Sequence, residues 1–128
     1  MTAGLRDKIR NRAANRCEYC QLLQEHLPFA TFHVEHIRPV KQGGIDSEDN
    51  LALSCHLCNL HKGSNLSGID PVTDTVVELF NPRRDQWLDH FRNEGGRIMG
   101  LTPAGRATVE VMAMNQESRI RLRLSLLF

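Results

Sequence analysis

Two pairs of cysteines with Cys-x-x-Cys spacing constrain this chain more than any other feature. The first pair is Cys17 and Cys20, and the second is Cys55 and Cys58. Such a turn presents both thiolates to one ion, and two turns brought together form the tetrahedral sulfur cage that zinc prefers. The intervening residues 21–54 suit a strand, a loop and a return strand. The cysteines therefore predict a structural zinc site that joins the ends of a hairpin, with an iron centre of the same sulfur geometry as the alternative.

Length and composition indicate one small domain. The chain has 128 residues and a formal net charge of +1, and it is too short for two large independent cores. No apolar run approaches the roughly 18 residues that a membrane span requires, and the start of the chain lacks the apolar stretch of a signal peptide. We therefore expect a cytoplasmic protein with no membrane partner, whose cysteines are reduced thiols available to metal.

Each Cys-x-x-Cys turn is called a knuckle below, Cys17–Cys20 being the first and Cys55–Cys58 the second. Apolar spacing and turn residues predict the order helix, knuckle, strand, loop, strand, knuckle, helix in the first half of the chain. The basic polar face of the first helix is compatible with phosphate contact or with solvation alone. The predicted elements are a helix over residues 2–15, a strand over 29–37, a turn at 43–44, a return strand over 51–54 and a helix over 59–62 that stops near Gly63.

The second half predicts an extension with its own helices and strands. The signals are β-branched residues, proline at the first helical position, paired glycines and a threonine cap. The predicted elements are a strand over 76–80, a short helix opened by Pro82, a turn at 95–96, a helix capped by Thr102 and a last helix ending in residues 124–128.

A zinc ion held by four thiolates has no open position, so any catalysis needs a second site. Arg16 and Lys62 are the cations expected to offset the negative charge of the cage. The other polar residues concentrated around the knuckles are candidates for the second site, and they are Glu35, His36, Asn50, Asn59, His61 and Lys62. His33 and His56 are secondary candidates for substrate contact.

Three runs of the sequence, CEYC, HVEHIRPVKQGG and NLALSCHLCNLHKG, resemble the HNH endonuclease family in its four-cysteine subclass over residues 12–63. The later runs NPRRDQW and GLTPAGRATVE resemble, more weakly, a tail found on small bacterial HNH proteins. The resemblance implies an α+β fold: a small zinc-stapled ββα-metal domain, also called a His-Me finger, with an α/β C-terminal extension. It places the nuclease core with its N-terminal helix and zinc site in residues 1–66, and the extension packing on that core in residues 67–128.

By the same resemblance, His36 matches the general base, Asn50 the structural asparagine of the loop, and Asn59 the third motif position, which is often histidine. Glu35 matches the acid that binds the catalytic cation, although that acid is commonly aspartate. Lys62 is the residue expected to contact phosphate. A carboxylate and an amide oxygen suit a hard cation such as Mg²⁺ or Mn²⁺, and histidine takes protons near neutral pH.

Consecutive residues of a regular strand point to opposite faces, so Glu35 and His36 would not both face one ion. We therefore expect an irregular backbone over residues 35–37, where Pro39 ends the strand.

These expectations define a metal-dependent endonuclease that hydrolyses DNA, with RNA left open as a substrate. A catalytically silent, zinc-stapled nucleic-acid-binding module is the first alternative, and a rubredoxin-like redox centre is the second. The oligomeric state, monomer or homodimer, is left open.

Overall fold

The computed structural model describes residues 1–126, in which helices alternate with three separate two-stranded antiparallel sheets. The last two residues of the predicted final helix, 127 and 128, lie outside the described residues. The elements are α1 (Ala3–Arg12), β1 (His33–His36), β2 (Leu51–Ser54), α2 (His56–Lys62), β3 (Ser67–Asp70), β4 (Thr75–Glu78), α3 (Trp87–His90), β5 (Phe91–Glu94), β6 (Arg97–Gly100), α4 (Pro103–Val111) and α5 (Glu117–Ser125).

The first helix is confirmed but is shorter than predicted. Thr2 caps α1 by accepting a hydrogen bond from the Leu5 amide at 3.1 Å. The helix ends at Arg12 because Ala14 and Asn15 adopt left-handed backbone conformations, with φ of 53° and 57°. This reversal turns the chain directly into the first knuckle.

The β1–β2 hairpin carries the two knuckles to one place. His33 pairs with Ser54 and His36 with Leu51, so the hairpin ends beside both Cys-x-x-Cys turns. The predicted start of the first strand at residue 29 is wrong, because β1 begins at His33. Before it, the Phe32 amide donates to the Gln24 side chain at 2.7 Å instead of to a partner strand. The return strand over 51–54 is confirmed.

The helix that follows the second knuckle begins earlier than predicted. It starts at His56, with Cys55 as its cap, and it ends at Lys62 before Gly63. Residues 59–62, which the sequence suggested as the start, are therefore the second half of the helix. The cysteine cap places Cys58 and Lys62 on the buried side of α2.

The extension contains two hairpins, β3–β4 and β5–β6, and the sequence predicted neither of them as a pair of strands. β3 pairs with β4, although only the second strand was predicted. The short helix that was expected to open at Pro82 and to carry Phe91 is confined to α3, because residues 82–84 form a turn. Phe91 begins β5, which pairs with β6 around the predicted glycine turn. Thr102 caps α4 by accepting from the Gly105 amide at 3.0 Å, as predicted.

The hydrophobic core is continuous across both halves of the chain. Leu51 and Leu53 of β2 belong to the same buried cluster as Phe80, Phe91 and Met112 of the extension. The division at residue 66 stays a prediction. Within residues 1–126, the helices fall short of the length and apolarity needed to cross a membrane.

Candidate active site and metal centre

The four cysteines meet at one point. Their sulfur atoms all lie within 4.8 Å of one another, and all four side chains are buried. Cys20 Sγ and Cys55 Sγ are 3.6 Å apart. A tetrahedral site with Zn–S bonds of about 2.3 Å requires sulfur atoms about 3.8 Å apart, so this donor set fits zinc. All four donors are used, which leaves this centre a structural role.

The cation beside the cage comes from the other end of the chain. Arg119 of α5 donates from Nη2 to Cys58 Sγ at 2.9 Å and to Cys55 Sγ at 3.6 Å. Its Nη1 donates to the Met112 carbonyl at 2.8 Å, at the end of α4. Burial alone would lower the pKa of Arg119, but the neighbouring thiolates, Cys58 foremost, raise it above its usual value. Arg119 thus ties the extension to the cage through charge.

The prediction that Arg16 and Lys62 offset the charge of the cage is wrong, because both side chains contact other groups. Arg16 donates to the Gln21 carbonyl at 2.6 Å, and Lys62 contacts Glu35 instead of a thiolate. The signal for Arg119 in the sequence was the arginine pattern at 119, 121 and 123. Arg119 and Arg123 are four residues apart and share one face of the helix, whereas Arg121 lies on another, so the pattern alone did not select one arginine.

Replacing Arg119 by methionine should weaken zinc retention and lower the melting temperature. Methionine keeps most of the volume but removes the buried guanidinium that donates to Cys55 and Cys58, a loss on the order of 3 kcal/mol. Competition with a chromogenic chelator measures zinc affinity. Arg121→Met on the same helix is the control, because Arg121 is exposed and pairs only with Glu117 among the described residues. Equal zinc retention in both variants would contradict this role.

Beside the cage, three of the predicted site residues line one cleft of about 260 Å³. Glu35 and His36 reach it from β1, and Asn59 reaches it from α2. The remaining lining residues are His33, Val34, Pro39, Val40 and Gly63. The structure therefore brings together the acid, the histidine and the amide that the sequence singled out.

The strand supplies these residues without a bulge. Glu35 pairs with Ala52 and His36 with Leu51 in consecutive register, and the Ile37 amide still donates to the Asn50 carbonyl at 2.8 Å. The expected irregular backbone at 35 and 36 is thus absent from the described hairpin, although the strand does end at His36. The two side chains point in opposite directions, Glu35 inward and His36 outward, at the edge of the cleft.

His36 has a carboxylate partner that the sequence did not identify. Its Nε2 lies 2.6 Å from Asp46 Oδ1, while 22% of the side chain remains exposed. This hydrogen bond lowers the pKa of Asp46 below its usual range. Asp46 is therefore an ionised acceptor, and Nε2 of His36 is the donor. Asp46 lies in the acidic run IDSEDN, residues 45–50, which the sequence pattern indicated only as a loop.

Glu35 is buried and held from two sides. Oε1 accepts a hydrogen bond from the Tyr19 hydroxyl, and Oε2 accepts one from Lys62 Nζ at 3.0 Å. Burial raises the pKa of Glu35 above its usual value, and Lys62 and Tyr19 oppose that effect. A buried carboxylate with this pKa shift is common at functional sites.

Lys62 does not face solvent as the phosphate-contacting role requires. Its side chain is 3% exposed, and Nζ donates to Glu35 and to the carbonyls of His36 and Ile37, each at 3.0 Å. An ammonium group has three hydrogens, so these contacts use all of them. Lys62 therefore fixes the end of β1 and the Glu35 carboxylate.

Asn50 holds the loop between the strands. It accepts from the Arg38 amide at 2.8 Å and donates to the Arg38 and Ile45 carbonyls at 3.0 Å each. Gly44 permits this closure, since a Cβ there would lie 1.7 Å from the Arg38 carbonyl oxygen. These contacts are those of a loop-organising asparagine.

The remaining histidines and the basic helix face have other partners. His33 Nε2 lies 3.4 Å from His56 Nδ1 at the rim of the cleft, and His61 contacts Gln116 at 3.5 Å. Arg12 donates to the Leu51 carbonyl at 2.6 Å, so part of the basic face of α1 binds the hairpin instead of facing solvent.

Comparison with known proteins places this site in context. The sequence model described as HNH endonuclease matches residues 17–65, which contain both knuckles and the cleft. The chain is also similar to Septu protein PtuB of Bacillus thuringiensis, with 29% identity over 109 residues. That alignment covers 83% of this chain and 39% of the relative, so the chain spans about two fifths of the relative's length. No solved structure gives a significant match.

Proposed function

Because residues 17–65 of this chain match the sequence model described as HNH endonuclease, we propose that the protein is a metal-dependent endonuclease that hydrolyses phosphodiester bonds of DNA. The observation that carries the proposal is the cleft that Glu35, His36 and Asn59 line together. The zinc cage lies beside this cleft and supports it without taking part in the reaction. RNA is the alternative substrate, and the experiment below includes it.

His36 acts as the general base. With Nε2–H donated to the ionised Asp46, the imidazole is held in the tautomer that leaves the Nδ1 lone pair free. Nδ1 can then accept a proton from the water that attacks phosphorus, and the imidazolium formed is stabilised by the adjacent carboxylate. A histidine with an orienting carboxylate is a well-suited base for this step.

Glu35 and Asn59 would hold the divalent cation. Each offers an oxygen ligand, and oxygen ligands of this kind suit Mg²⁺ or Mn²⁺. When bound, such a cation neutralises the charge that develops on the phosphate oxygens. Burial and the contact with Lys62 restrict the Glu35 carboxylate, so the ligand would be in place before the cation arrives.

The test is conversion of supercoiled plasmid to relaxed or linear product by purified protein. We expect product with Mg²⁺ or Mn²⁺ and none with a chelator that spares bound zinc. A labelled RNA hairpin in parallel decides between the nucleic acids. Retention of DNA in a mobility-shift assay without product under any divalent cation would contradict the proposal and favour a silent binding module.

Replacing Asp46 by asparagine should slow nicking by about tenfold to a hundredfold, because the neutral amide neither fixes the tautomer of His36 nor stabilises its cation. Initial nicking rates at saturating Mn²⁺ measure the effect. Glu48→Gln is the control, since this acid of the same loop pairs with Lys8. Equal rates for the two variants would show that Asp46 has no part in the reaction.

A further inference from the structure

Tyr19 is a buried polar residue to which the proposed reaction assigns no role. It is the chain's single tyrosine, and it lies inside the first knuckle, between Cys17 and Cys20. Its side chain is fully buried, yet its hydroxyl reaches the Glu35 carboxylate on β1. One side chain therefore joins the zinc cage to the cleft.

The contact is specific to one oxygen of the carboxylate. Tyr19 donates to Oε1 of Glu35, and Lys62 donates to Oε2. Each carboxylate oxygen has two lone pairs, so both oxygens retain capacity to bind a cation while these donors stay in place. Together the two donors fix the rotation of the carboxylate group.

The position of Tyr19 is itself fixed by its surroundings. Trp87 Nε1 donates to the Tyr19 carbonyl at 2.7 Å. The ring packs edge-on against Phe80, with ring centroids 6.4 Å apart. The two cysteines beside it share one sulfur cage with the second knuckle, so closing the cage around an ion would also set the position of the phenol.

Glutamate needs such a support more than aspartate does. Its side chain has one more rotatable bond, and a free glutamate would lose more conformational entropy on binding a cation. A donor built into the rigid knuckle removes that freedom before the cation binds. The hydrogen bond from Tyr19 thus compensates for the greater freedom of the longer Glu35 side chain.

We propose that Tyr19 is a positioning residue that couples the zinc cage to the catalytic cation site by holding the Glu35 carboxylate through its hydroxyl. The inference rests on the proposed function only in taking Glu35 as a cation ligand. It predicts that an intact cage is needed for cation affinity in the cleft, and that the tyrosine hydroxyl transmits this requirement.

The test compares Tyr19→Phe with the parent chain. The variant keeps the ring and both neighbouring cysteines and removes only the hydroxyl. We expect unchanged zinc content but about tenfold weaker Mn²⁺ affinity, measured by electron paramagnetic resonance of free Mn²⁺, since a hydrogen bond to a charged group is lost. The Mn²⁺ concentration that half-saturates nicking should rise by the same factor.

Trp87→Phe is the matched control. It removes the hydrogen bond to the Tyr19 carbonyl and leaves the hydroxyl contact with Glu35 in place. Because the knuckle and the packing against Phe80 still hold the phenol, we expect its Mn²⁺ affinity to fall far less than that of Tyr19→Phe. Equal Mn²⁺ affinity in Tyr19→Phe and the parent would overturn the proposal.

A second measurement on the parent chain decides the matter if Tyr19→Phe loses zinc or fails to fold. With ¹³Cζ-labelled tyrosine the protein gives one signal, because the chain has one tyrosine. Mg²⁺ binding at Glu35 draws charge from the acceptor of its hydrogen bond, so the signal should shift and saturate with the cation. Saturable Mg²⁺ binding without such a shift would overturn the proposal.

These outcomes separate the inference from the proposed function. Cation binding that depends on the tyrosine hydroxyl, in a protein that cuts no nucleic acid, would support the coupling and contradict the nuclease assignment. Metal-dependent nicking with unchanged Mn²⁺ affinity in Tyr19→Phe would do the reverse.

Discussion

Replacing His36 by alanine should reduce the nicking rate by about 10²- to 10⁴-fold, the usual contribution of a general base. The reason is that no other imidazole among the described residues is both at the cleft and bonded to a carboxylate. Initial rates on supercoiled plasmid at saturating Mn²⁺ measure the loss. Zinc content and melting temperature should stay unchanged, since the His36 side chain lies partly exposed at the end of β1.

His61→Ala provides the matched control for this substitution. His61 is a histidine of α2 whose ring contacts Gln116 outside the cleft. We expect its nicking rate to match that of the parent chain. A His36→Ala protein that cuts as fast as His61→Ala would remove His36 from the mechanism.

Removing zinc should unfold the domain. The four thiols lie within the hydrophobic core cluster, and structural zinc contributes about 10 kcal/mol or more to the folding of small modules. Circular dichroism during titration with a strong chelator measures the unfolding, and added Zn²⁺ should restore the signal. Burial raises the pKa of Cys17 and Cys58 well above the usual thiol value, whereas hydrogen bonds with Cys17 lower the pKa of Cys20 and Cys55. Zinc must therefore displace protons from the Cys17 and Cys58 thiols, and its retention should weaken as the pH falls.

Metal analysis of the purified protein is the control for this prediction. One zinc per chain and no iron absorption are expected. A coloured protein that contains iron would favour the redox alternative. An apoprotein that melts at the temperature of the zinc form would show that the cage does not hold the fold.

The sequence predicted the local features of this site because each depends on residues that are close together along the chain. The two knuckles predicted the sulfur cage, and the run around Glu35 and His36 predicted the residues of the cleft. Thr102 and Pro103 predicted the start of α4 from capping preferences alone. In each case the partners are close in sequence or belong to a recognisable motif.

The contacts that organise the site were not predictable in the same way. Arg119 meets Cys58 across 61 positions, and Tyr19 meets Glu35 across 16. Such contacts depend on how the elements pack, which the sequence pattern does not specify. Lys62 illustrates the consequence: its place after the knuckle suggested a phosphate contact, whereas packing of α2 on β1 turns it toward Glu35.

The two-stranded sheets of the extension show a further limit of prediction from local sequence. β3 contains Gly68 and Asp70, which are poor strand formers, so its sequence gave no strand signal. It forms because Asp70 pairs with Arg106 of α4 at 2.8 Å and because Gly68 leaves room for the side chain of Val111. Tertiary packing, not local preference, selects this strand.

The central claim is that a structural zinc cage supports a separate catalytic cation site. A Mn²⁺ titration of zinc-loaded protein tests it most directly, with plasmid nicking and bound zinc followed in the same sample. The account predicts that nicking is absent without Mn²⁺ and rises to saturation while one zinc stays bound to each chain. Nicking at full rate with zinc alone, or displacement of the zinc as activity appears, would contradict it.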